Sequence, residues 1–433
     1  MNIFCAPFMS LLSLTLFSSA SQATSLEQIY QLARQSDPQL LTAAANFQGS
    51  KENIVQVKAA LKPSVDGQLN SRLNHNTNNS TSDTQGYSIH LTQPIYSPAL
   101  SAAVKKVNIA DTIAKLAYQQ SEQNLILRTV DAYINTMVAK SNLSTIKAQE
   151  RAIKRTLDQA QAEFDVGLSA ITDVYEARAS YDNAKVDRII SEGQLENSYQ
   201  SLQRLSGKNI VAVDTLDNKY TVTTLSPNQA SYWVEQVSSG NLALEMAQLN
   251  IASTIKDSEI AKSNRGVSVE LQAIHSGSED SKNGWTQDSQ IGLVLSIPLY
   301  SGGSLNSKVR QSLSSEEAVK QIYQDTLREV TQTTRSLVRD IETNVLAVKA
   351  RQQSILSSRA ALNAVNEGFK AGTRNVVDIL QAENSLFDAR NSYATVRLEQ
   401  IRLKFKLKFQ AGSLNEQDIS DISQWMLAEK SGD

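Results

Sequence analysis

The sequence predicts a mainly α-helical chain that also carries membrane β-barrel strands, with four long-helix strands and four β-strands per chain. Three observations predict it. Glycine and proline are absent from 99–166 and again from 304–367, and no proline follows Pro298. At about 1.5 Å per residue, each stretch has room for a helix of roughly 100 Å. Ahead of each stretch lie two segments that alternate apolar with small or polar residues, the period of a strand with two unlike faces. The halves of the chain also repeat one another at an offset of 204 or 205 residues.

In chain order, residues 1–23 read as a signal peptide. The apolar run from Ile3 to Phe17 is broken by Pro7, and Ser21-Gln22-Ala23 fits a cleavage site before Thr24. Ser18-Ser19-Ala20 is a second possible site, and the usual Lys or Arg near the start is missing. The run is short for a membrane span. The single cysteine, Cys5, falls inside it, so the mature chain has no thiol for a disulfide or metal site. A net charge of −2 without a basic patch gives no sign of nucleic-acid binding. No later segment is apolar for long enough to cross a bilayer as a helix, so entry into a membrane must be as strands.

The first structural repeat spans 24–206. Its strands are expected at about 64–74 and 86–96, its long helix at 98–166 and a second helix at 168–206. Val65, Leu69 and Leu73 alternate with Asp66, Gln68, Asn70 and Arg72, and Tyr87, Ile89 and Leu91 with Ser88, His90 and Thr92. A segment at 207–240 separates the halves. The second repeat spans 241–411, with strands at about 266–275 and 290–300, a long helix at 303–367 and a helix at 373–411. Residues 412–433 close the chain. Leu143, Ile146, Ile153, Leu157, Ala160 and Phe164 in one long helix, and Ile341, Val345, Val348, Ile355, Leu362 and Phe369 in the other, keep heptad-like spacing. The polar stretches 74–86 and 277–284 read as hairpin loops.

The repeat matches Leu91-Thr92-Gln93-Pro94-Ile95-Tyr96-Ser97 to Leu295-Ser296-Ile297-Pro298-Leu299-Tyr300-Ser301, and Phe164-Asp165-Val166-Gly167 to Phe369-Lys370-Ala371-Gly372. Pro94 and Pro298 are placed at strand-to-helix exits, where a missing N–H is tolerated. Gly167 and Gly372 mark tight reversals at the far helix ends. Tyr96 and Tyr300 close the second strand of each half, either as an interfacial aromatic girdle or as packing at the junction. Four strands cannot close a barrel, and open edges do not persist in lipid. Several copies must therefore pool their strands, and physics alone does not choose between two and three.

At 164–174, 295–303, 371–380 and 412–418 the chain resembles the TolC outer-membrane efflux proteins, and the resemblance covers nearly the whole mature sequence. It implies a homotrimer with a 12-stranded β-barrel joined to a 12-helix α-barrel, seated in the outer membrane and extending into the periplasm. It also implies an equatorial domain from 207–240 and the tail, and export of drugs or proteins as the outer component of an efflux pump or type I secretion system. The implied partners are an inner-membrane transporter of RND, ABC or MFS type, a periplasmic adaptor protein and outer-membrane lipid. The resemblance places gate links at Thr172, Asp173 and Arg374, with Phe369 where the family pattern has tyrosine, so one expected hydrogen bond is absent. Asp378 corresponds to a carboxylate of the family's entrance constriction. Gln381 stands where the pattern has a second acidic ring, which implies weaker block by cations.

No enzyme is expected. His75, His90 and His275 lack ligand spacing, and there is no phosphate-binding glycine loop and no nucleophile elbow. No cofactor or nucleic acid is called for. The alternative reading, a soluble periplasmic coiled-coil adaptor, explains the heptads but not two pairs of amphipathic strands.

Overall fold

The computed structural model describes residues 24–75, 81–280 and 284–427; the expected signal peptide, the tips 76–80 and 281–283, and 428–433 lie outside those residues. The first half runs α1 (Leu26–Ser36), α2 (Pro38–Ala59), β1 (Ser64–His75), β2 (Thr81–Tyr96), α3 (Pro98–Asp165) and α4 (Ile171–Ser206). After β3 (Thr215–Leu216) the order recurs as α5 (Ala230–Gly240), α6 (Leu242–Ser263), β4 (Ser268–Asp280), β5 (Gly284–Ser296), α7 (Ser304–Lys370) and α8 (Val376–Gln410). Then come α9 (Glu416–Ser423) and β6 (Met426–Leu427).

The long helices α3 and α7 are uninterrupted. Each half also opens with a helix pair that the strand–strand–helix–helix expectation omits. The reason is legible in α2, where only Leu40 is fully buried, so no apolar stripe betrays the helix. Both α2 and α4 pack along α3, and both α6 and α8 along α7. The 22 residues of α2 and 36 of α4 come to about 87 Å of helix against about 100 Å for the 68 residues of α3. The expected four long helical columns are therefore two continuous helices and two composites, each interrupted partway. Because α3 also packs on α6 and α8, the columns form one wall.

The sheet is antiparallel in the order β1-β2-β4-β5. Directly opposed residues share a face, and the rows alternate between a mainly apolar and a mainly polar side. Val65, Leu91, Ala273 and Ile291 lie in one row, and Tyr96, Val269 and Leu295 in another. The intervening rows on the opposite face hold Gln68, Ser88, Ser276 and Asp288, and Thr92, Gln272 and Gly292. One face is mainly apolar and open, with Leu69 90% exposed; the other is mainly polar, with Ile274 and Val294 as exceptions.

Two expectations are corrected here. The described residues of the stretches 74–86 and 277–284 are strand, since β1 runs to His75, β2 begins at Thr81, β4 runs to Asp280 and β5 begins at Gly284; the loop expectation for 76–80 and 281–283 lies outside the described residues. Ladder bonds come from the backbone, so polar side chains do not end them. The second correction concerns the strand ends. Tyr96 does end β2, but β5 stops at Ser296, so Pro298 and Tyr300 lie in the connection 297–303. The strand β4 begins at Ser268, opposite Ser296, and leaves later residues without a partner. Pro94 stays inside β2, opposite Glu270, with a register shift before Tyr96. The helix entry is Pro98, at the first turn of α3, where the Ser97 side chain accepts from the Leu100 N–H.

The main core lies where the composite columns break. Leu26, Ile29, Tyr133, Leu202, Ile401 and Ile419 are buried there together. The Thr24–Val213 bridge and the β3–β6 pair tie α1, the 207–240 segment and the tail to it. Tyr133 accepts from the Asp214 N–H at 2.9 Å, and the Arg397 guanidinium donates to the carbonyls of Asp217 and Tyr220. Asp37 caps α2 through the Leu40 N–H and receives two bonds from Arg128 of α3, at 3.0 and 2.7 Å.

Candidate functional site

The candidate site is the tip farthest from the sheet, where α3 turns into α4 and α7 into α8. Both turns rest on a glycine with positive φ, Gly167 at 77° and Gly372 at 73°. Their backbone bonds are the same. Gly167 N–H donates to Phe164 and Leu168 N–H to Glu163, while Gly372 donates to Phe369 and Thr373 to Gly368.

The hairpins pack on one another through a small core in which Val376 and Leu380 of α8 meet Ile153, Leu157, Val174 and Ala177. Phe369 packs against this core, half-buried.

Asp378 lies in the first turn of α8 and closes a capping box: it accepts from the Asn375 N–H at 3.1 Å, and Asn375 accepts from the Asp378 N–H at 2.9 Å. Its other oxygen lies 3.8 Å from Arg374, the ion pair that this arginine makes among the described residues. The stem of Arg374 lies over Gly368, whose missing side chain gives it room. On the other hairpin Asp173 accepts from the Ser169 hydroxyl at 2.8 Å, and Thr172 is exposed. The single chain thus places Thr172, Asp173 and Arg374 at the same end without joining Arg374 to Asp173. Gln381 is exposed one turn beyond Asp378.

Sequence reasoning missed Glu383. One of its oxygens is buried without a hydrogen-bond partner among the described residues, beside the Gln149–Asn384 bond that joins α3 to α8. Burial pushes its carboxyl up to about 7, with Arg155 drawing it back down. The folded state therefore holds this proton more tightly than the unfolded chain. The stability it lends is full below about pH 4.5 and is lost progressively as pH rises to about 7. Between pH 5 and 7, amide exchange along the α3–α8 contact should accelerate beyond its intrinsic pH dependence, and Glu383→Gln should remove that excess. An unchanged response in the variant would place the titration elsewhere.

Sequence reasoning also missed a second aromatic level in the sheet. Tyr87 tilts against Trp285 at 5.9 Å, and its hydroxyl meets His275 at 2.9 Å. Gly277 makes space for both rings; a Cβ there would fall 2.6 Å from Tyr87 and 2.8 Å from Trp285. Tyr87 and Tyr96 lie nine residues apart on β2 and on the apolar face. At ~3.4 Å per residue and a strand tilt of ~40°, that spans about 23 Å, the height of a barrel's apolar band.

No described helix is long and apolar enough to cross a membrane. The sequence profile of the family described as outer membrane efflux protein matches residues 29–208 and 233–413. The outer membrane protein TolC of Vibrio cholerae is 31% identical, with 94% of each chain covered. The alkaline protease secretion protein AprF of Pseudomonas aeruginosa is 23% identical over 91% of this chain and 85% of its own. The solved structure of the Vibrio cholerae outer membrane protein VceC superposes with a TM-score of 0.78 at 16% identity, covering 89% of this chain and 96% of that one.

Proposed function

The chain belongs to the outer membrane efflux protein family, and from that membership we propose that three copies pool their sheets into one barrel and their helical walls into one periplasmic tunnel. It is an outer-membrane channel for export of drugs or proteins, in an efflux pump or a type I secretion system. The observation that carries the assembly is the pair of free sheet edges, β1 and β5. In lipid each unpaired backbone group costs several kcal/mol, so an apolar sheet with two open edges needs identical neighbours. A soluble adaptor has no use for such a face.

The internal repeat supplies the pairing between copies. Adding 204 to β2 gives β5, and subtracting 204 from β4 gives β1. The Leu91–Ala273 pair then becomes Leu295 against Leu69 of the next copy, and Tyr96–Val269 becomes Tyr300 against Val65. Both new pairs join apolar face to apolar face. Residues 297–300 gain a strand partner in this way, which brings Tyr300 level with Tyr96.

At the tip, Arg374 is the movable latch: exchange of Asp378 for Asp173 and Thr172 of a facing hairpin holds the entrance shut. Arg374→Ser should raise single-channel conductance in a planar bilayer, and no rise over wild type would retire the latch. Three Asp378 carboxylates around one ring, ~6 Å apart at an effective dielectric near 20, repel by roughly 3 kcal/mol per pair, which bound cations relieve. Asp378→Ala should weaken block by a trivalent cation at least tenfold. Unchanged block would move the filter elsewhere.

The duct is passive. Energy and cargo choice come from an inner-membrane transporter, with a periplasmic adaptor sealing the joint. The test of the whole reading is ion current from purified protein in a planar bilayer, paired with a deletion strain scored for drug sensitivity and for secreted protein. A protein that stays monomeric in mild detergent and passes no current overturns it.

A further inference from the structure

The four connections between helices and sheet are basic to a degree the fold does not require. Lys58 and Lys62 end the α2 side, and Lys262 and Arg265 the α6 side. Lys105 and Lys106 follow the start of α3, and Lys308 and Arg310 the start of α7. Stretches 58–63, 98–110, 260–267 and 301–315 contain no Asp or Glu at all. The chain as a whole is nearly balanced, at 42 basic and 44 acidic residues. The helix dipole accounts for cations at the C-terminal ends of α2 and α6, but gives no reason for those on α3 and α7. Among the described residues only Lys106 of this group forms a close ion pair, with Asp257 at 2.6 Å, while Lys105 and Lys262 act on Glu259, and Lys262 on Glu316, at longer range.

The level of these charges is defined by the sheet. The apolar face ends at Tyr96, Val269 and Leu295, and the basic residues of α3 follow within about 12 Å along the helix. The headgroup layer of a bilayer occupies roughly 5–8 Å on each side of its hydrocarbon core. A groove of about 570 Å³ opens at this level between the end of α2, the start of α3 and the end of α6. Leu61, Ile95 and Tyr96 form its apolar side, and Lys105 and Lys262 line it together with Glu259. That carboxylate is already engaged by Lys256 at 2.6 Å.

We propose that this groove, within a basic collar at the base of the barrel, binds the phosphate headgroup of an anionic phospholipid from the periplasmic leaflet, with glycerol and acyl chain against Leu61, Ile95 and Tyr96. The proposal rests on the outer-membrane placement of the sheet and goes beyond it in naming the lipid class and its ligands. A juxtamembrane cation contributes about 1 kcal/mol toward an anionic lipid, so removing the two groove lysines costs about 30-fold in retention.

The test uses the purified full assembly in non-ionic detergent, with adducts counted by native mass spectrometry. The probes are dioctanoyl phosphatidylglycerol, dioctanoyl phosphatidylcholine and sn-glycerol 3-phosphate at equal concentration. Wild type should retain the phosphatidylglycerol at least tenfold better than either other probe, less so as salt rises. Lys105→Gln with Lys262→Gln should lose that preference, while Lys349→Gln with Arg359→Gln, far down α7, should keep it. Equal retention of the two lipids, an unchanged preference in the groove variant, or equal binding of glycerol phosphate would overturn the proposal. Planar-bilayer current should persist in the groove variant, which separates failure of the lipid site from failure of the channel reading.

Discussion

Oxidation of a chain carrying Leu69→Cys and Leu295→Cys is expected to yield covalent dimers and trimers on a non-reducing gel, and each single variant only monomers. The only native cysteine, Cys5, lies in the expected signal peptide, so the background is clean. The pairing follows from the Leu91–Ala273 contact of β2 with β4, carried through the repeat to β5 and the next copy's β1. Directly opposed strand residues bring Cβ atoms to about 4.5–5.5 Å, close enough for a disulfide after slight adjustment. A control pair, Leu69→Cys with Ile291→Cys, is four residues out of register, roughly 14 Å along the strand, and should stay monomeric. Crosslinking in the control but not in the first pair would disprove the register. A strand slipped by one residue would turn every apolar side chain toward water, so neighbouring registers are strongly disfavoured.

The second large effect is expected at Arg128→Met. Asp37 is 2% exposed, and its carboxylate is matched by the two Arg128 bonds and the Leu40 N–H. Burial alone would raise this carboxyl, but the Arg128 and Leu40 hydrogen bonds outweigh it and hold the group below the usual carboxylate range. Removing the arginine leaves a buried charge without its counter-ion, held by backbone N–H groups alone, a loss of about 3 kcal/mol. Because Asp37 also caps α2, the damage should begin at the α1–α2 joint. Limited proteolysis should cut there in the variant and not in wild type. Since the folded carboxyl is depressed, its contribution is present above the unfolded value and lost as pH falls through the folded one. Wild type should therefore lose stability below about pH 4, and the variant should show a shallower loss. A melting temperature within about 1 °C of wild type would show that the pair contributes little.

The long helices and four strands were readable because their signals are local. A stretch without glycine or proline and a period of two need no knowledge of neighbours. The short helices were not, because α2 rests on α3 along a thin contact and presents no stripe. The strand limits failed for a related reason: whether Pro298 and Tyr300 join a ladder depends on what lies beside them, and β4 has ended there. At the tip, the glycine turns and the acidic first turns of α4 and α8 were legible from the repeat. The role of Asp378 as one half of a capping box, and the burial of Glu383, were not, since both depend on side-chain geometry that spacing does not encode.

The interruption of two columns beside two unbroken ones has a mechanical corollary. A continuous helix resists stretching because its hydrogen bonds run along its axis, whereas the α2–α4 and α6–α8 joints are held by side chains and loops. On the proposed assembly, dilation of the entrance would leave α3 and α7 at fixed length like rods, and the jointed columns would absorb the difference at their mid-height breaks. The strands, joined to both kinds of column, would then feel none of that change in length.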